Sequence, residues 1–319
     1  MGDFFGSGRV EPRARVIIDN DFSGDPDDLF QLAHHVLSPS VDVRFIIGSH
    51  LSVGDPWDPS DVQATNAVTK ARELLEVMGL AGRYSVLEGA QRALADLKTP
   101  ADTPAARAII AEALRDDTTL PLYYAAGAGL SDLASAVLLE PRIADRITLV
   151  WIGGPEHAGL AVAPPGARGP EYNLRIDINA ARVLFEQSGM AIWQVPRNTY
   201  RQMLFSYAEL VTRIAPLGPL GAYLTQSIER VMDWTRAAGF HIGETYVMGD
   251  SPLVTLTALQ SSFDADPSSS TYVLRPAPGF SPEGDYVERP GSRLIRVYTA
   301  IDTRLTFEDL VAKLTLFSA

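Results

Sequence analysis

The chain has 319 residues, of which 46% are apolar, and such a chain can fill a sizeable core, so we expect a single domain over residues 1–319. Its 27 basic and 39 acidic side chains give a net charge of −12, which disfavours a nucleic-acid backbone or an anionic membrane as a partner. The absence of cysteine excludes disulfides, thiolate metal sites and cysteine nucleophiles. No apolar run approaches the roughly 18 residues of a membrane helix, and the first residues lack a secretory signal, so we expect a cytoplasmic protein.

Short β-branched runs alternate with longer amphipathic segments from the start of the chain. RVIID precedes DDLFQLAHHVL, VDVRFIIGS precedes VQATNAVTKARELLEVMG, and YSVLEG precedes PAARAIIAEALRD. The strands LPLYYAAG, ITLVWIGG and AIWQVP follow, with the helices LSDLASAVLLE and NAARVLFEQSG between them. This rhythm predicts an α/β fold with a doubly wound, mainly parallel sheet flanked by helices, in which ligands bind at the carboxyl ends of the strands.

The later part of the sequence has a different pattern. From about Tyr207 to Leu259 it favours helices, and the chain closes with the strand RLIRVYTAID and the helix FEDLVAKLTLF. The stretches 52–60, 161–170 and 276–292 are rich in Pro, Gly and Ser and indicate loops.

Five aspartates crowd the point where the first strand ends and the first helix begins: Asp19, Asp21, Asp25, Asp27 and Asp28. Helix capping can account for the last three, because carboxylates favour a helix N-terminus. It does not account for those at the strand end. Carboxylates this close repel one another, and burying them costs several kcal/mol each unless a cation compensates, so the cluster predicts a divalent cation held by oxygen.

Two other acidic motifs compete for this stretch. An EF-hand loop starting at Asp19 would need a glutamate where Phe30 stands, and Pro26 lies inside the loop, so this interpretation fails. The strand followed by DND also resembles weakly the aspartate-nucleophile phosphatases of the haloacid dehalogenase class, with GDSP at 249–252 as a faint echo of their late acidic motif. Phe22 and Ser23 depart from that pattern, and the phosphatase stays as a less favoured alternative.

A third comparison covers nearly the whole chain. DNDFSGDPDD resembles the aspartate-rich signature that opens the inosine-uridine preferring nucleoside hydrolase family. In the same order along the chain, AGAGLSDLASAVLLEPRI, ITLVWIGG, EYNLRIDINAARVLFEQSG and MGDSPLVTLTAL are similar to later segments of that family. The resemblance implies a doubly wound fold, a bound Ca²⁺ ion and hydrolysis of the N-glycosidic bond of ribonucleosides.

Carried over residue by residue, the resemblance assigns the metal ligands. They would be the carboxylates of Asp21, Asp28 and Asp250 and a backbone carbonyl, for which we favour Gly127, with Ala126 next. Ca²⁺ takes six to eight oxygen ligands, so this set leaves room for a water molecule and two sugar hydroxyls. Asp21 would also be the general base that accepts the proton of the attacking water.

The resemblance also assigns the groups that bind the sugar. Asp27 would hold a ribose hydroxyl, and Glu171 and Asn173 would bind the remaining hydroxyls, which favours the oxocarbenium-like transition state. An ordinary polar turn before a helix is an equally good reading of Glu171 and Asn173 from their spacing alone. The resemblance further implies a small riboside as substrate, and we expect a homo-oligomer, either a dimer or a tetramer.

The sequence departs from the family on the side of the leaving group. The histidine that precedes the last metal aspartate in the family is Gly249 here, and the Gly-Asn after the second strand is Gly48-Ser49, which affects sugar recognition. Substitutes for the histidine are His50, His241 and Tyr246, and Trp57 could stack on a base, although each of these types more often has a structural role.

Two functional classes therefore remain open. The first is a Ca²⁺-dependent N-ribohydrolase with altered leaving-group specificity, which the presence of Asp21 favours. The second is a catalytically weak homologue that binds a riboside or another sugar, which the loss of histidine at Gly249 favours, because a general acid contributes roughly 10²–10⁴ in rate.

Overall fold

An eight-stranded sheet forms the middle layer of the protein. The structure, a computed structural model, describes residues 9–261, 263 and 268–318; the remaining positions of the range 1–319 expected to form one domain lie outside the described residues. In chain order the strands are β1 Ala14–Asn20, β2 Val41–Gly48, β3 Val86–Glu88, β4 Leu122–Ala126, β5 Ile147–Ile152, β6 Ala191–Val195, β7 Leu204–Ser206, β8 Thr245–Val247, β9 Thr271–Pro276, β10 Gly279–Phe280, β11 Tyr286–Val287 and β12 Leu294–Ala300.

The order of the strands confirms a doubly wound sheet. It runs β3-β2-β1-β4-β5-β6-β12-β9, and neighbours pair in parallel except β9, which is antiparallel to β12. The direction of winding reverses between β1 and β4, where Asp19 lies opposite Ala126. The carboxyl ends of these two strands therefore form the crevice in which such folds bind ligands.

Helices cover both faces of the sheet. They are α1 Asp27–Val36, α2 Gln63–Val77, α3 Pro104–Ala113, α4 Ser131–Leu139, α5 Tyr172–Ile176, α6 Ile178–Arg182, α7 Arg197–Tyr200, α8 Tyr207–Glu209, α9 Gly218–Ala237, α10 Pro252–Thr257 and α11 Thr303–Ser318, with a 3₁₀ helix at Pro141–Asp145 and π-helical turns at Val183–Gln187 and Leu210–Ile214. Within the described ranges, no helix combines the length and apolar character needed to cross a bilayer.

Strand β1 shows why the sequence forms this sheet. All its residues are buried, and neighbouring residues serve opposite layers: Val16 and Ile18 belong to one apolar core, and Ile17 to the other. A parallel strand covered on both faces is expected to be mainly apolar, and this one is apolar from Val16 to Ile18, whereas its buried Arg15 pairs with Glu112. The polar residues that follow are thus placed at the edge of the sheet.

Helix α1 is buried along its whole length, although it carries several polar side chains. These side chains find partners inside the protein. His34 Nε2 lies 2.7 Å from the carboxylate of Asp309, and His35 Nε2 lies 2.8 Å from the hydroxyl of Thr257. Because buried polar groups need such partners, the helix is fixed in position.

The structure contains short strands that the sequence did not predict. The stretch from Tyr207 to Leu259 contains not only helices but also β8, which pairs with β7 in a two-stranded antiparallel sheet. The region 276–292 is not entirely loop, since β10 pairs with β11 there, and β9 was not expected. These strands are short or lie at a sheet edge, and β8 pairs with a strand on the far side of α9, so local periodicity does not reveal them.

Candidate active site

A cleft of about 250 Å³ opens at the carboxyl edge of the sheet, beside the point where the winding reverses. Asp21 follows β1 directly, Asp27 and Asp28 are the first residues of α1, and Asp250 lies between β8 and α10. All four line the cleft, together with Asp25. The fold thus brings together the carboxylates that the sequence predicts for a metal site.

Asn20, the last residue of β1, holds two of these carboxylates in place. Its amide nitrogen Nδ2 donates to Asp250 Oδ2 at 2.8 Å and lies 3.1 Å from Asp28 Oδ1. Its carbonyl oxygen Oδ1 accepts from the backbone nitrogen of Gly127 at 2.9 Å. One side chain therefore joins the ends of β1 and β4 to the start of α1 and to the segment before α10.

The carboxylates of the cleft strongly perturb one another. Burial raises the pKa of Asp21, Asp27 and Asp28 well above the usual value, and neighbouring carboxylates raise it further. Burial likewise raises the pKa of Asp250 to about 7, with a contribution from Asp25. Such a set of acids is costly to ionise together unless a cation lies among them.

Two buried carboxylate oxygens lack a hydrogen-bond partner within the described residues, Asp21 Oδ2 and Asp28 Oδ2. Orphaned acceptors of this kind, surrounded by negative charge, suit a hard cation that takes oxygen ligands. No three His, Asp or Glu side chains of the described chain are already arranged as a metal centre. The donor chemistry nevertheless fits an oxygen-bound divalent ion.

Gly127, at the end of β4, faces the carboxylates across the reversal point. A Cβ atom there would overlap the carboxylate of Asp250, so only glycine fits this close approach. The carbonyl of Gly127 already accepts from Asn173 Nδ2 at 2.9 Å, and a carbonyl oxygen has a second lone pair. Ala126 lies inside β4 and is buried.

The opposite wall comes from α5. Glu171 caps this helix: Oε2 accepts from the backbone nitrogens of Gly154 at 2.8 Å and Leu174 at 3.0 Å, and Oε1 accepts from the hydroxyl of Tyr200 at 2.8 Å. Burial raises the pKa of Glu171. Asn173 uses Nδ2 for two backbone carbonyls, so its Oδ1 is the atom left for a ligand. Both residues line the cleft, and both also stabilise the turn around them.

Comparison with known proteins agrees with this geometry. The family model described as inosine-uridine preferring nucleoside hydrolase matches residues 16–302. The chain belongs to this family. The resemblance inferred from the sequence is thereby confirmed, and the phosphatase alternative gains no support from the match.

Individual members of the nucleoside hydrolase family show more limited likeness. The chain is 41% identical over 68 residues to an inosine-uridine preferring nucleoside hydrolase of Crithidia fasciculata, a match that spans 21% of this chain and 19% of that relative. A plant nucleoside hydrolase (TM-score 0.72, 21% identity) and a purine-preferring ribonucleoside hydrolase from Gardnerella vaginalis (TM-score 0.74, 17% identity) have similar structures. In both cases 95% of this chain and 99% of the other are covered, which confirms the fold.

Two further side chains, predicted as candidates where the sequence departs from the family, lie at or beside the cleft. Trp57 lines it and packs on Trp234, with ring centroids 4.9 Å apart. Tyr246 donates its hydroxyl to Asp25 Oδ2 at 2.9 Å, and burial together with Asp25 raises its pKa far above the usual value. A phenol whose proton is held this firmly is poorly suited to protonate a leaving group.

Other predicted residues lie elsewhere. Ser49 is buried and donates its hydroxyl to Asp19, and His241 is exposed and does not line the cleft. His50 is buried, with its ring nitrogens 2.8 Å from the carbonyl of Leu51 and 3.0 Å from the hydroxyl of Ser131. These three side chains already have structural partners or lie apart from the acids of the cleft.

Sequence reasoning missed part of the cleft wall. Tyr172, Tyr200 and Arg201 line it, as do two aliphatic residues, Ile152 and Val247. Tyr200 and Arg201 closely follow β6, and the rule that places ligands at the carboxyl ends of parallel strands applies to β6 as much as to β1. Applying this rule to β6 would have predicted Tyr200 and Arg201 as candidate site residues.

Proposed function

We propose that the protein is a Ca²⁺-dependent N-ribohydrolase that cleaves the N-glycosidic bond of ribonucleosides. One observation carries the proposal: Asp21 and Asp28 each present a buried carboxylate oxygen that no described residue hydrogen-bonds, in a cleft whose other wall holds Glu171 and Asn173. The family of the chain supports this activity. An acidic cleft with a polar wall suits a ligand that offers several hydroxyls and binds together with a cation.

The ion would be held by the carboxylates of Asp21, Asp28 and Asp250 and by the carbonyl of Gly127. Bound there, it would orient sugar hydroxyls and make a nearby water molecule more acidic. Asn20 supports these ligands, because its amide nitrogen donates to Asp28 and Asp250. The carbonyl of Gly127 would be the fourth ligand. Glycine has no side chain, and this lets the backbone approach Asp250.

The remaining chemistry belongs to side chains. Asp21 is the general base, since its free Oδ2 can accept the proton of the attacking water. Asp27 and Glu171 accept hydrogen bonds from ribose hydroxyls, and Asn173 Oδ1 accepts another. These contacts orient the sugar for attack at C1′ as the bond to the leaving group breaks.

Gly249 favours a second candidate, a homologue that binds a riboside or another sugar with little turnover. A Cβ atom at this position would lie 3.1 Å from Asp27 Oδ2, and no imidazole stands there to protonate a departing base. An enzyme with this site depends on the acidity of the leaving group itself. Trp57 and Tyr246 fit either candidate, as a stacking surface and as a support for Asp25.

The two candidates differ in a simple assay. Hydrolysis of inosine, uridine and p-nitrophenyl riboside is measured with Ca²⁺, for the wild type and for Asp21→Asn. The enzyme should cleave the p-nitrophenyl compound faster than inosine by something like the roughly 10²–10⁴ that a general acid supplies, and Asp21→Asn should abolish cleavage. Asp116→Asn, an exposed change far from the cleft, should have no effect. A wild type that binds ribosides without cleaving any of them supports the binding candidate.

The setting of the activity is part of the proposal. The protein would be a single-domain cytoplasmic protein that acts on small ribosides, and its acidic net charge suits that compartment. We also propose a homo-oligomer, a dimer or a tetramer. Light scattering of the purified protein measures the assembly, and a monomeric mass contradicts this part.

A further inference from the structure

One cationic side chain lies in the wall of the acidic cleft. Among the described residues that line it, six are carboxylic acids and one, Arg201, is a base. Arg201 is exposed and makes no side-chain hydrogen bond or ion pair within the described part of the chain. Its neighbour on α7, Arg197, is instead bound to Glu156 at 2.6 Å. The charge of Arg201 also acts on Glu156, but its guanidinium donors make no hydrogen bond to a described residue and can reach a ligand in the cleft.

The position of Arg201 relative to Gly249 is fixed by two contacts. A Cβ atom on Gly249 would lie 3.5 Å from the ring of Tyr200, which directly precedes Arg201. Just beyond, the backbone nitrogen of Met248 donates to the carbonyl of Met203 at 2.7 Å. The segment that carries Arg201 therefore packs beside the segment in which the family has its histidine, on the leaving-group side of the cleft.

The neighbouring tyrosine does not fill the role of the missing acid. Tyr200 donates its hydroxyl to Glu171, and burial together with Glu171 raises its pKa well above the usual value. Tyr246 is engaged with Asp25 in the same way. Among the described residues that line the cleft, Arg201 is the one with a cationic side chain, and its guanidinium has donors that make no hydrogen bond to a described residue.

We propose that Arg201 binds the leaving group and stabilises the negative charge that forms on it, a role that rests on the proposed hydrolase function. When the bond to C1′ breaks, its electron pair stays on the leaving nitrogen or oxygen, water supplies the hydroxyl of the ribose product, and Asp21 takes the water's proton. Arg201 donates hydrogen bonds but keeps its proton, so the leaving group departs as an anion and is protonated by solvent.

This assignment defines a substrate class. Because Arg201 keeps its proton, it favours ribosides whose leaving groups are stable anions, such as acidic oxygen-bearing heterocycles or aryl oxides. The planar guanidinium can also form two hydrogen bonds to one flat group, which a lysine cannot. Bases that need a full proton before they depart are predicted to be poor substrates.

The first test measures turnover of a series of aryl ribosides that differ in leaving-group pKa. Arg201→Gln should lower kcat/KM by about 10- to 100-fold, as expected for loss of a hydrogen bond to a charged group, and should make the rate depend more steeply on leaving-group pKa. Arg201→Lys should recover part of the loss. Arg146→Gln, which removes an exposed arginine at the opposite edge of the sheet, should match the wild type. Equal slopes for wild type and Arg201→Gln overturn the proposal.

The second test does not require turnover. Binding of p-nitrophenolate in the presence of ribose and Ca²⁺ is measured by calorimetry, and Arg201→Gln should weaken it about tenfold. Affinity that is unchanged in this variant overturns the role of Arg201. If Arg201→Gln weakens phenolate binding but the wild type cleaves no riboside, the role of Arg201 in binding is supported and the hydrolase function is contradicted.

Discussion

Replacing Asn20 by aspartate tests whether the cleft is built around a cation. The change keeps the shape of the side chain but replaces its NH₂ group by a carboxylate oxygen. That oxygen would lie near 2.8 Å from Asp250 Oδ2 and 3.1 Å from Asp28 Oδ1, where two hydrogen bonds existed before. A bound divalent ion should offset most of the added repulsion, and in its absence the repulsion should destabilise the fold.

The size of the effect follows from two limits. Two like charges 3 Å apart repel by about 5 kcal/mol at an effective dielectric constant of about 20. The new carboxyl can escape this by staying protonated, which at pH 7 costs about 4 kcal/mol for a group with an ordinary pKa of about 3.9. The free energy of unfolding in EDTA should therefore fall by about 4 kcal/mol at pH 7. Because the folded pKa is raised, this loss should shrink as the pH falls toward 4.

Urea unfolding of Asn20→Asp and wild type, in EDTA and in Ca²⁺, measures these terms. Ca²⁺ should stabilise the variant more than the wild type by at least about 1.4 kcal/mol, a tenfold difference in affinity. Asn198→Asp is the matched control, because the amide of Asn198 donates to Thr199 and not to a carboxylate. An equal response of Asn20→Asp and wild type to Ca²⁺ would refute the idea that the acids around Asn20 share an ion.

Three further outcomes are expected. Gly127→Ala should lower Ca²⁺ affinity in calorimetry by at least about tenfold, because its Cβ would displace the carboxylate of Asp250, and unchanged affinity would contradict this packing. Tyr200→Phe should raise KM for ribosides more than it lowers kcat, since Glu171 loses its hydroxyl partner, and steady-state kinetics separate the two constants. Burial lowers the pKa of His34 to about 4, with help from a nearby lysine, so the unfolded chain binds more protons between about pH 6.5 and 4. The free energy of unfolding, measured by urea titrations, should fall by about 3 kcal/mol as the pH is lowered from about 6.5 to 4, and His34→Gln should make it depend less on pH. If wild type and His34→Gln lose the same stability over this range, other groups govern the acid response.

The sequence predicted the acidic half of the cleft well. The acids after β1 are close together in the chain, and the ordered family segments linked them to Asp250 far along the chain. The family resemblance likewise pointed to Gly127. These inferences rest on local spacing and on the order of family-like segments, both of which a sequence displays.

The other half of the cleft depends on contacts that a sequence does not display. The bonds of Asn20 to Asp28 and Asp250 look like no motif, and Tyr200 reaches Glu171 only because α7 packs against the sheet end. The two-stranded sheet of β7 and β8 joins short segments separated by the whole of α9. Long-range packing of this kind decides which loop residues face the ligand. The sequence therefore predicted His241 as a residue of the leaving-group side, whereas the fold places Arg201 in the cleft wall.

The burial of α1 divides the cleft into parts with different tolerance for change. Its first residues carry the acids, and the rest of the helix is enclosed by core and by polar partners such as Asp309 and Thr257. Substitutions there would disturb the interior of the protein. The wall formed by Trp57 and Arg201 lies on surface loops, where most changes cost little stability. A mutant library aimed at new leaving groups should therefore vary that wall and keep α1 intact.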